Sequence, residues 1–201
     1  HETVREFLLD CTHSEFGIDS SKSHHQLARV YLNVWSEDAF LAPISNSSRQ
    51  PRSADDMDQI HPLLRYSATS WFDHVQKALI DKELETSIRD FLRTSVLSWV
   101  EAVGLLNDVS LLTLGALALE SCVVQSPLIS LMDRKLITGW AVDLVRIGPK
   151  YGRNITAYPF SIHRLLPPFC PTKTRIGSQF AGAGDITIVG TGLKNWDDCL
   201  A

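Results

Sequence analysis

Four successive stretches between Leu64 and Ile147 repeat apolar residues at helical spacing, and this constrains the fold more than any other feature of the chain. Leu64, Ala68, Trp71, Phe72, Val75 and Leu79 form one stripe behind Pro62, a proline placed where a helix can start. Ile88, Phe91, Leu92, Val96, Trp99, Val100 and Val103 form a second stripe, with Asp81 as its cap and Asn107-Asp108 as its end. Leu111 to Val124 is apolar on nearly every side, which predicts a buried helix. Ser126-Pro127 opens a fourth helix, with Ile129, Met132, Leu136, Ile137, Trp140, Leu144 and Ile147 on one face and Gly148-Pro149 as its stop. A helical stripe is buried only against another element. The sequence therefore predicts a mainly α protein, an irregular helical bundle of amphipathic hairpins. Trp35, Trp71, Trp99 and Trp140 are spaced 36, 28 and 41 residues apart, so no fixed period supports a repeat array.

The flanks are less regular. Val4, Phe7, Leu8 and Cys11 mark a short amphipathic helix at the start. Leu27, Val30, Tyr31, Val34 and Trp35 predict a helix from about His24 to Glu37. Residues 42–60 crowd serines, prolines, arginines and aspartates together and read as a mobile, solvated loop. Beyond residue 148, Pro159, Pro167, Pro168 and Pro171 oppose a long regular helix, and Asp185 to Val189 reads as a short strand. The predicted organisation is a terminal piece of an upstream unit at 1–20, a helical domain at 21–148, and a proline-stiffened linker with a short irregular or β segment at 149–201. The chain opens at His1 and stops soon after Trp196, so the expectation is a piece of a longer protein.

Composition narrows the function classes. The 201 residues are 44% hydrophobic and 21% charged, enough apolar content for a core. The net charge of −4 argues against nucleic acid and against an anionic membrane surface as partners. Val109 to Leu119 is too short to span a bilayer, which takes about 20 residues. Cys11, Cys122, Cys170 and Cys199 include no C-x-x-C pair, a usage that predicts reduced thiols and a cytoplasmic protein.

Several residues could carry chemistry, and each has a plainer reading. Cys11, His13, His24 and His25 superficially resemble a zinc set, but the spacing lacks the tight pairs of a tetrahedral site. Cys170 has His163 nearby in sequence but no nucleophile elbow, so a packed thiol is favoured. Gly182-Ala183-Gly184 lacks the Lys-Ser/Thr of a phosphate loop. Asp55, Asp56 and Asp58 lack the frame of a calcium loop. The tryptophans stand among Leu, Val and Ile, not among Lys and Arg, which assigns Trp71, Trp99 and Trp140, with Phe91, to packing. No catalytic residue, metal ligand or cofactor is expected within the chain.

Three stretches together resemble one family. H-E-T-V-R-E-F-L at His1–Leu8 resembles the signature near the end of the winged-helix segment in NACHT-type STAND NTPases. P-L-L-R-Y-S-A-T-S-W-F-D-H-V at Pro62–Val75 is similar to the helix that follows in fungal members. The third runs from Trp140 through P-F-S-I-H-R-L-L-P-P-F-C-P to I-T-I-V-G-T-G-L-K-N-W-D-D-C-L-A. It resembles the lead-in to the WD40 propeller of fungal NACHT–WD40 proteins of the vegetative-incompatibility (heterokaryon-incompatibility) type.

The resemblance implies a non-enzymatic connector that relays conformational change between a nucleotide switch and a propeller. Pro167, Pro168 and Trp196 would hold the geometry of the segment leading out. ATP/ADP or GTP/GDP would be ligands of the parent protein only, because no Walker lysine or Walker carboxylates occur here. The implied partners are the winged-helix and propeller domains of the same protein, and self-oligomerisation of the parent is implied as well. His1 matches a histidine that contacts the bound diphosphate in related switches, and an imidazole N–H suits a phosphate oxygen. A packed histidine at a helix start is the open alternative for His1. For the chain as a whole the alternative is a helical peptide- or protein-binding module.

Overall fold

The computed structural model describes residues 19–35, 63–126, 129–180 and 192–196. His1, Cys11, His13, the 42–60 loop, Pro62, Pro127, the glycines at 182 and 184 and the expected 185–189 strand lie outside the described residues. The described residues form eight α-helices and no strand, a mainly α bundle. The helices are α1 Ser20–Val34, α2 Leu64–Lys77, α3 Lys82–Thr94, α4 Val96–Leu105, α5 Ser110–Gln125, α6 Leu131–Ala157, α7 Ile162–Phe169 and α8 Arg175–Phe180. A 3₁₀ turn at Pro159–Ser161 links α6 to α7.

Local chemistry sets the helix ends. Asp19 caps α1 by accepting the Lys22 N–H at 3.0 Å. Asp81 caps α3 by accepting from the N–H groups of Glu83 and Leu84 at 3.0 and 2.9 Å. Asn107 ends α4 in the left-handed region at φ 55°, which asparagine tolerates better than most residues. There the Asn107 and Asp108 N–H groups donate to the Gly104 and Val103 carbonyls, closing a Schellman turn.

Five expectations are corrected. The stripe from Ile88 to Val103 is two helices, because Ser95 at φ −119° leaves the α-helical path and its carbonyl accepts from Ser98 and Trp99. The fourth helix starts after Ser130, whose hydroxyl accepts the Asp133 N–H at 3.1 Å, so Met132 faces solvent at 73% exposure. That helix does not stop at Gly148-Pro149 but runs to Ala157. A mid-helix proline costs about 3 kcal/mol; here its ring lies on the exposed face, while buried Ile147, Gly152 and Ile155 continue the packed stripe. The boundary expected at residue 148 therefore falls inside one helix, and residues 149–180 are largely helical and packed on the bundle. Pro167 and Pro168 lie within the last turn of α7. Finally, α5 is not buried all round: Leu114, Leu117 and Val124 are exposed. Leu79 is likewise exposed, beyond the end of α2.

One core joins these elements. Helix α6 packs against α3, α4, α5 and α8, while α2 packs against α1 and α5. Trp71, Trp99, Trp140 and Phe91 are all inaccessible to solvent or nearly so. The Trp71 and Trp99 rings meet edge-on at 5.3 Å, and Phe91 packs 5.3 Å from Trp71. The Trp99 indole N–H donates to the Ala68 carbonyl at 2.9 Å, fastening α4 to α2. Two glycines permit this closeness. A Cβ at Gly115 would lie 2.6 Å from Trp99 Cη2, and one at Gly104 would lie 2.5 Å from the Ile155 carbonyl oxygen. The clash at Gly104 is with backbone, which cannot swing aside. Gly104→Ala should therefore force α4 off α6 and destabilise the protein by about 1–3 kcal/mol. Urea unfolding measures this, and an unchanged midpoint would contradict the packing.

Candidate functional site

Helix α6 carries the buried charge around which the C-terminal part is organised. Asp143 shares the face of Trp140, Leu144 and Ile147 and is 2% exposed. One carboxylate oxygen accepts the Ile176 N–H at 3.0 Å, at the start of α8. The other accepts the Trp196 indole N–H at 2.8 Å. Burial pushes the Asp143 carboxyl above the ordinary aspartate value, while hydrogen bonds from Trp196, Ile176 and Arg175 and the Arg175 charge pull the other way. Arg175 lies over Gly139 and donates to the Lys135 carbonyl at 3.0 Å.

Trp196 is held on several sides. Its ring lies 6.4 Å from that of Tyr151, and the Lys150 ammonium sits 5.7 Å above it. The Thr172 and Lys173 N–H groups donate to the Leu193 and Lys194 carbonyls, each at 3.0 Å. Residues 192–196 are thereby fastened to the helical body.

Beside this node lies a groove of about 290 Å³ between the C-terminal turns of α6 and α7. Ile155, Ile162 and Leu166 form its floor, and Tyr158, Leu165 and Phe169 its exposed rim. The Tyr151 hydroxyl donates to the Phe169 carbonyl at 2.8 Å, pinning one wall to the other.

A second polar cluster joins α1 to α2. His24 Nδ1 and His74 Nδ1 are 2.8 Å apart, so one imidazole donates and the other accepts. Tyr31 and Tyr66 pack around His74, which is 6% exposed. Burial lowers the His74 value, the charge on His24 lowers it further, and Asp73 opposes the effect. His25 pairs instead with Asp81 at 2.8 Å.

The expected site residues separate. Trp71, Phe91, Trp99 and Trp140 lie in the core, while Trp196 joins Asp143. His163 pairs with Glu101 of α4 at 3.0 Å, not with Cys170. Burial pushes the Cys170 thiol up, with Asp143 adding to the effect. Cys122 is pushed up to about 12, by burial first and Glu85 second. A thiol so raised is not an activated nucleophile. Among the described residues no group of three or more His, Cys, Asp or Glu could hold a metal ion, and no helix is long and apolar enough to cross a membrane.

Sequence reasoning missed Asp143, the His24–His74 pair and the groove. Only Asp143 left a signal, as an acid between Trp140 and Leu144 on the apolar face of α6. The chain matches no family model, no curated protein and no solved structure.

Two measurements probe these nodes. Asp143→Ala orphans the buried Ile176 N–H, worth about 1–3 kcal/mol when left unpaired, and removes the acceptor of the half-buried Trp196 indole. It should destabilise the protein at neutral pH by at least the lower figure in urea unfolding. Because the folded value of Asp143 is raised, its ionisation removes stability as pH rises through that value, and the variant should lack this descent. An unchanged unfolding curve would refute the role of the carboxylate. For His74 the sign is opposite. A value lowered in the folded state gives stability that is present above the ordinary 6.5 and lost as pH falls below it. His74→Gln should flatten that decline, and a decline as steep as wild type would exclude His74 as its source.

Proposed function

We propose that this chain is a non-catalytic helical connector of a NACHT-type STAND NTPase, relaying conformational change between a nucleotide switch and a WD40 propeller. One observation carries the reading: the segment following the bundle is fastened to it by the Trp196–Asp143 bond and by the Leu193 and Lys194 carbonyls. A flexible tether would need no such fastening. Helix α1 packs on α2 and α3, whereas Trp196 is held by Asp143 and Tyr151 of α6. A displacement of α1 would then reach residues 192–196 through one packed core, as rigid-body movement. The same proposal includes a winged-helix end over residues 1–20, with His1 directed at ADP or GDP in the parent protein, and a propeller beyond the lead-in. It also includes a cytoplasmic setting.

The parent reading frame tests this directly. A Walker lysine upstream and repeated Trp-Asp dipeptides downstream are expected, and the absence of both would overturn the proposal. In the full-length protein, Trp196→Ala should raise the release rate of a fluorescent nucleoside diphosphate roughly five-fold, the low end of allosteric coupling. An unchanged rate in a folded variant would sink the relay.

A further inference from the structure

Two hollows open side by side where α3, α6 and α8 come together, and they share Lys135 and Arg175 in their lining. The larger, of about 530 Å³, also takes in Thr138, Lys173 and Asn195. The smaller, of about 430 Å³, takes in Arg93 at the end of α3. Four cations therefore line the two adjoining hollows, in a chain whose net charge is −4. The lining holds one acid, Asp143, buried with both carboxylate oxygens engaged by Ile176 and Trp196. The acids close by in sequence are engaged as well. Asp90, one turn before Arg93, pairs with Arg89. Asp133 is buried, accepts from the Ser130 hydroxyl and faces Arg89. Arg93, Lys135 and Lys173 are exposed and make no ion pair among the described residues. A cleft lined by charge of one sign focuses its field on a ligand of the other.

The guanidinium common to both hollows is fixed in advance. Gly139 leaves room for Arg175 to lie flat on α6, since a Cβ there would stand 2.7 Å from its Nε and 2.8 Å from its Cγ. Arg175 Nη2 donates to the Lys135 carbonyl at 3.0 Å, and the other N–H donors of the fork have no acceptor among the described residues. The Gln179 amide donates to the Leu92 and Arg93 carbonyls at 2.9 and 2.7 Å. It thereby holds the end of α3 in place and covers carbonyls whose dipoles would repel an anion.

We propose that these hollows bind a small anion carrying two or more phosphate groups, with Lys135 and Arg175 shared between the groups and Arg93 and Lys173 each serving one hollow. A planar guanidinium meets phosphate oxygens in pairs, and a lysine adds a mobile point charge. The Thr138 hydroxyl and the Asn195 amide line the larger hollow and supply neutral donors. Two hollows joined at one cationic pair suit two phosphate groups better than a lone carboxylate, which would occupy only one of them. A nucleic-acid strand is disfavoured, because the chain as a whole is acidic and the lining offers one aromatic ring, Trp196, in place of a stacking platform. Because Arg175 is already held on Gly139 and Lys135, binding need not order it, which lowers the cost of docking. This site is independent of the connector reading.

Calorimetric titration of inorganic tripolyphosphate into the full chain, at about 0.15 M salt, tests the proposal. The full chain is used so that any competition from Asp197 and Asp198 is included. One saturable site is expected, with sulfate bound about tenfold more weakly. Arg93→Gln and Lys173→Gln, exposed and in different hollows, should each weaken tripolyphosphate about tenfold. Arg93→Lys should keep most of the affinity, and Lys22→Gln on α1 should change nothing. Should a glutamine variant unfold on thermal scanning, Lys135→Gln takes its place with the same expected loss. Inositol hexakisphosphate titrated in parallel separates a ring-borne from a linear source of the phosphates, and tight binding of either supports the proposal. No saturable heat with either compound, sulfate as tight as tripolyphosphate, or affinity unaltered in the glutamine variants would overturn it. So would an equal loss in Lys22→Gln, which would mean unspecific charge screening, or binding of a phosphoserine peptide with neither polyphosphate bound.

Discussion

The edge-on contact of Trp71 with Trp99 above Gly115 is the constraint on which the bundle closes. It brings α2, α4 and α5 to one point, and Phe91 adds α3. Each indole buries roughly 200 Å², worth about 5 kcal/mol at 25 cal/mol per Å². The Trp71 indole N–H has no hydrogen-bond partner among the described residues, a loss of about 1–3 kcal/mol. The burial term wins, which is how a polar atom can be left unpaired at the centre of the core. Trp99 avoids the loss by donating to Ala68, and so adds a directional bond to a contact that dispersion alone would leave free to slide.

Away from this point the character of the packing changes. Around Trp71 the neighbours are almost wholly apolar, whereas on α6 the buried apolar face carries the paired carboxylate of Asp143. Asp143 holds both the start of α8 and Trp196, so one carboxylate decides where two separate segments lie. An apolar core tolerates small rearrangements at modest cost, but a buried carboxylate with two donors has one good geometry. The first half of the bundle supplies cohesion. The second supplies position, and the exposed apolar rim of the groove lies there.

The helical stripes were legible because burial acts residue by residue along a helix, and nearly every stripe residue from Ile88 to Val103 is indeed buried. The breaks between helices were not. Ser95 sits in the middle of an unbroken apolar period, and only its backbone angle shows that the chain turns. Pro149 misled in the other direction: proline removes one N–H, but on an exposed face a long helix can absorb that loss. Ser126-Pro127 outranked Ser130 as a start signal because a capping hydroxyl is judged by its neighbours in sequence, whereas the true cap is settled by where Ile129 must be buried. The groove and the two histidines depend on pairs brought together by the fold, 18 residues apart for Tyr151 and Phe169 and 50 for His24 and His74. No local pattern encodes such pairs. Asp143 alone was visible, as a charge on the wrong face.

Tyr151 belongs to both C-terminal features. Its hydroxyl fixes Phe169 at the groove, and its ring flanks Trp196. A ligand in the groove would press on a residue that also supports the segment leading out of the bundle. Coupling of this kind needs two discrete states, not merely a shared neighbour. Trp196 bound to Asp143 is one state, and its release to water would be the other. If occupancy of the groove favours one of them, docking of Trp196 must favour or oppose occupancy by the same factor. The groove and the fastened segment thus share one supporting residue, Tyr151.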